Sequence, residues 1–81
     1  MALIDPWRQP ALPRDLELLA ARHASRRDDE LRQAALARDA AQAAATCGNA
    51  VWAGAYEEEA IRHVDAANVS EWLRQQVSRL D

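Results

Sequence analysis

The sequence predicts an all-α fold: a long N-terminal helix turned back onto two shorter helices. Alanine fills 19 of the 81 positions, phenylalanine is absent with Tyr56 the single aromatic that is not tryptophan, and glycine occurs only at 48 and 54. Such a mixture favours helix over sheet on intrinsic grounds. The chain is read as an extended arm, residues 1–12, followed by one helical domain, residues 13–81. A domain this short buries only about 60% of the surface its unfolded chain exposes, so its own core supplies little stability and association is expected.

The arm follows from Pro6, Pro10 and Pro13, which remove backbone donors and push the residues before them out of helical space. Leu3, Ile4, Trp7 and Leu12 make it apolar enough to need a resting place. It either packs over its own helices or presents Trp7 as an anchor for a partner, tryptophan being enriched at binding hot spots.

The first helix is expected over about 13–46. Pro13 suits the first helical position, where its missing N–H costs nothing, and Asp15 and Glu17 favour the positive end of the dipole. Neither proline nor glycine recurs before Thr46. At about 100° per residue, Leu12, Leu16, Leu19, His23, Ala34, Ala37, Ala41, Ala44 and Ala45 share one face. Arg26, Arg27 and Glu30 land on that same face, and Ser25 and Asp28 nearby are good N-caps. The phase holds on both sides, and Arg26–Glu30 and Asp28–Arg32 are i,i+4 pairs of opposite sign, so the helix is expected to continue through a polar belt.

Gly48-Asn49 is the first clear stop signal, since both residues tolerate the left-handed conformation that closes helices. A turn is expected there, with Cys47 in or beside it and the chain returning antiparallel. In the return segment Ala53, Tyr56, Ala60, Ile61 and Val64 share one face, whereas Val69, Trp72, Leu73, Val77 and Leu80 share another, rotated by roughly 150° in a continuous helix. Asn68 to Glu71 reads as a variant capping box. These observations predict two helices, about 50–65 and 69–80, with a break near Asp65–Asn68. An alanine-lined seam lets backbones approach closely but buries little area, so an antiparallel homodimer completing a four-helix bundle is the expected assembly.

The chain carries ten arginines, no lysine and thirteen acids, for a net charge of −3. Neither half is basic, which argues against nucleic acid as a partner. A single cysteine forms no internal disulfide and fits a reducing, cytoplasmic setting; no signal-like or membrane-spanning stretch is seen.

Chemistry finds little purchase. Cys47, His23 and His63 do not fall at zinc-ligand spacings, so no metal or other cofactor is expected. Glu57, Glu58 and Glu59 invite comparison with carboxylate-bridged di-iron bundles, but no glutamate precedes His63 by the required three residues. They read instead as a solvated acidic face, with Glu58 paired to Arg62 and Glu59 to His63, or as a patch that steers a basic partner. Phosphate loops and nucleophile elbows are missing, so no enzymatic activity is expected.

The function read from the sequence is therefore a non-enzymatic helical interaction module: an adaptor, inhibitor or regulatory subunit of the kind bacteria or their viruses encode, binding a larger protein. The candidate contact residues are Trp7, Arg22, Arg26, Arg27, Trp52, Tyr56, Glu57, Glu58 and Glu59. Two alternatives are a helix-turn-helix DNA binder using "DAANVSEWLRQQVSRL", and a self-associating structural subunit.

Overall fold

The computed structural model describes residues 13–80, and the arm with its Trp7 and Leu12 lies outside them. The described chain is a hairpin of two helices, α1 (Pro13–Thr46) and α2 (Ala50–Ser78), packed against each other along their length. At about 1.5 Å per residue they are roughly 51 and 44 Å long.

The turn is built by Gly48, whose φ of 76° lies in the left-handed region. The Gly48 N–H donates to the Ala45 carbonyl at 3.0 Å and the Asn49 N–H to the Ala44 carbonyl at 2.8 Å, which satisfies carbonyls left open at the end of α1. Asn49 does not use left-handed space, with φ of −98°. Its role is to cap α2, its side-chain oxygen accepting from the Trp52 N–H at 3.2 Å.

Both helices are unbroken. α1 runs through Ser25 and Asp28, as the continuous phase predicts. α2 also runs through Asp65–Asn68, so the expected division into helices 50–65 and 69–80 is corrected to one helix. The reason lies in the period and composition of the seam. Its α1 side is Leu16, Ala20, His23, Arg27, Glu30, Ala34, Ala37, Ala41 and Ala44, and its α2 side is Ala53, Tyr56, Ala60, His63, Ala67, Ser70, Arg74 and Val77; all are buried or half-buried. These positions alternate steps of three and four, a seven-residue repeat, which a straight 3.6-residue helix loses by about 20° per repeat and a left-handed supercoil restores.

The remainder of the apparent 150° rotation came from weighting large apolar residues. Val69, Trp72 and Leu80 are 58%, 58% and 70% exposed, so they contribute little to the seam. Leu73 is half-buried and Val77 buried, so only part of the expected second apolar face reaches the seam. The missing break also removes the turn that a helix-turn-helix requires.

The interior is made mostly of alanine. Ala34, Ala37, Ala41, Ala53, Ala60 and Ala67 are buried, joined by Leu16, Val77 and Ser70, and no large side chain is fully enclosed among the described residues. A buried methyl contributes about 0.8 kcal/mol, against about 1.5–3 kcal/mol for a buried leucine, valine or phenylalanine. Close helix approach is gained at the expense of hydrophobic stabilisation.

Candidate functional site

Two features lie on this scaffold: a polar belt that crosses the seam and a set of apolar side chains turned outward from it. The belt occupies the half of the hairpin remote from the turn. Arg27, expected as a partner contact, instead donates from Nη1 to Oε2 of Glu71 at 2.5 Å, 44 residues away in sequence. Glu71, expected to cap a third helix, also accepts from Arg74 Nε at 2.9 Å and Nη2 at 2.5 Å, and from Gln75 Nε2 at 3.3 Å. Hydrogen bonding from Arg74, then from Arg27, holds the Glu71 carboxyl down to about 2.

One turn closer to the tip, His63 Nδ1 lies 2.6 Å from Oε2 of Glu30 on α1, while its Nε2 is 3.6 Å from Oε1 of Glu59 on its own helix. An imidazole flanked by carboxylates on both ring nitrogens is favoured as the cation. The hydrogen bond to Glu30, followed by the other carboxylate, raises the His63 pKa above its ordinary value despite partial desolvation. Glu30 therefore pairs across the seam rather than with Arg26, and Arg32 pairs with Asp29 at 2.9 Å rather than with Asp28. Glu58–Arg62 is present at 3.9 Å, between largely exposed side chains.

The outward features concentrate at the turn. Trp52 is 57% exposed, with its ring centroid 5.9 Å from that of half-buried Tyr56 and the planes tilted by 35°. These rings wall a groove of about 400 Å3 floored by Ala40, Ala43 and Ala44 and bordered by Cys47 and Asn49. Glu57, Glu58 and Glu59 are exposed on the next turn of α2. Arg22 and Arg26 are exposed near the other end of α1, beyond the reach of the tip cluster. A second groove, of about 380 Å3, runs between Arg26 and Glu30 on α1 and Ala66, Val69, Ser70 and Leu73 on α2.

Of the candidate contacts, the structure thus brings Trp52 and Tyr56 together with the acidic run beside them, commits Arg27 to the fold, and leaves Arg22 and Arg26 as separate surface cations. Trp72, Val51 and Ile61, at 58%, 83% and 60% exposure, are outward residues that the sequence reading passed over or assigned to the core. A seven-residue repeat that counted alanine, serine and histidine as inward would have found them by elimination.

Among the described residues, no group of three His, Cys, Asp or Glu side chains is placed to hold a metal ion, and no helix is long and apolar enough to cross a membrane. Comparison with protein-family models, curated proteins and solved structures gives no match.

Proposed function

We propose that this chain is a non-enzymatic helical interaction module that works as a homodimer and covers a surface of a larger protein, as an adaptor, inhibitor or regulatory subunit. One observation carries the reading: the alanine seam consumes few of the large apolar side chains. Leu18, Leu31, Leu36, Val51, Trp52, Ile61, Val69 and Trp72 are all between 47% and 83% exposed. Scattered apolar residues on a surface need no explanation, but a two-helix layer with most of its large apolar side chains outward has its binding capacity on the outside. The tilted Trp52–Tyr56 pair is an anchor of hot-spot type, and the adjacent glutamates would steer a basic partner surface toward it.

The test is affinity capture with the tagged chain as bait, read by mass spectrometry, alongside its mass in solution. A stoichiometric protein partner whose capture is weakened by Trp52→Ala, with helicity unchanged, is the expected result. Loss of helical signal in that variant would make Trp52 a folding residue and withdraw it from the contact. Recovery of nucleic acid as the sole ligand would overturn the reading.

A further inference from the structure

Both grooves open on one broad side of the hairpin. Trp52, Ala66, Leu73 and Leu80 follow one another at multiples of seven residues, as do Arg26 and Ala40, so in a seven-residue repeat they share a flank of the seam. The two grooves confirm the pairing of those flanks, one lined by Ala40 with Trp52 and the other by Arg26 with Ala66 and Leu73. The overlapping helices make this side about 43 Å long and about 20 Å wide, on the order of 900 Å2. A standard interface takes about 800 Å2 from each partner.

We infer that a second copy of this chain covers this side, with the turn of each copy against the open end of the other. The inference rests on the homodimer part of the proposed function. Along the axis from the turn, a rise of about 1.5 Å per residue puts Arg26 at roughly 33 Å and Glu59 at roughly 17 Å, equidistant from a point about 25 Å along. Leu19 and Trp52, at roughly 44 and 6 Å, straddle the same point. A two-fold axis through that point brings Arg26 level with Glu59 of the other copy and Trp52 level with Leu19. Opposite charges then share one layer and large apolar side chains share another. Parallel stacking would instead put Arg26 level with Arg26 and Glu59 level with Glu59, a like-charge arrangement that interfaces avoid. In this arrangement Trp52 serves the contact between copies, so Trp52→Ala lowers capture of the larger partner through loss of the dimer that binds it, and the outward-pointing Val51, Ile61 and Trp72 are left for that partner.

Cys47 is the single cysteine, is exposed, and sits at the turn, so the native chain carries its own reporter of orientation. Pulsed EPR on a nitroxide attached to Cys47 is expected to give a distance of about 50 Å between copies, with sedimentation showing a closed dimer across a tenfold concentration range. Arg26→Glu and Glu59→Arg, each checked for helicity, are each expected to weaken dimerisation about tenfold or more, and an equimolar mixture of the two to restore it. A monomer throughout overturns the homodimer reading itself. A dimer with labels less than about 25 Å apart, about half the antiparallel separation, or one unmoved by either charge reversal, leaves the homodimer standing and overturns this face and orientation. Open-ended growth overturns both.

Discussion

Glu30 and His63 meet across the seam at 2.6 Å, with Glu59 3.6 Å from the other ring nitrogen, so one imidazole is held by carboxylates from both helices. Glu30 falls on the otherwise apolar stripe of α1. It is half of a tie between helices whose remaining contact is largely alanine against alanine. Such contacts repeat every seven residues and discriminate poorly between registers, so the turn at one end and the polar belt toward the other fix the alignment.

Stability should fall as pH rises past neutrality. The folded pKa of His63 is raised above the ordinary 6.5, with Glu30 the first cause, so its contribution is full below about pH 6.5 and is lost as pH climbs through the folded value. Thermal melts between pH 6 and 9 should show a falling midpoint, and His63→Gln should flatten that dependence. An unchanged slope in the variant would show that the pair does not couple to folding.

At the acid end the sign reverses. Glu71 is held down to about 2 by Arg74 and then Arg27, so its contribution is present above about 4.5 and is lost as pH falls toward 2. Glu71→Gln should reduce the loss of helicity on acidification over that interval. Urea melts at pH 3 and pH 5 would measure it, and equal acid sensitivity in both proteins would refute the assignment.

The seam should reject bulk. Ala34 is 1% exposed, and Ala34→Leu would add three carbons where the helices meet, at a cost of about 1–3 kcal/mol. The same change at the exposed neighbour Ala35 should be close to neutral. Comparable denaturation midpoints for the two variants would mean that the seam is not closely packed.

The two glycines should respond to alanine with opposite signs. Gly48 has φ of 76° with open space where a Cβ would stand, so Gly48→Ala should cost about 1 kcal/mol from the backbone alone. Gly54 lies inside α2, also with open space, and Gly54→Ala should stabilise by about 0.5–1 kcal/mol. Chemical denaturation of both variants would check the pair, and a shared sign would contradict the assigned backbone geometry.

Much of the fold is legible in the sequence. Pro13 as a first helical residue, the unbroken run to Thr46 and the stop at Gly48-Asn49 are local signals, written in backbone chemistry that does not depend on distant residues. The acidic run at Glu57–Glu59 and the Glu58–Arg62 pair are likewise one-helix features. The break at Asp65–Asn68 was misread because a capping box is only a preference, and the continuous packing of Ala67 and Ser70 against α1 outweighs it. Within the candidate surface, the proximity of Trp52 and Tyr56 follows from their spacing of four, whereas the outward direction of Trp72 and Val69 does not.

The sequence by itself determined an all-helical chain, the two ends of the first helix and the place where it reverses, because propensity, caps and left-handed glycine act within a few residues. The tertiary structure alone decided which side of α2 faces inward and which partners the polar belt joins. Arg27 to Glu71 and Glu30 to His63 are contacts 44 and 33 residues apart, fixed only when a small-residue seam sets how closely two helices lie and in what register. Hydrophobicity points to the side chains that gain most from burial. In a hairpin closed by alanine, closeness of approach took the inner positions, and the large apolar residues were left facing out.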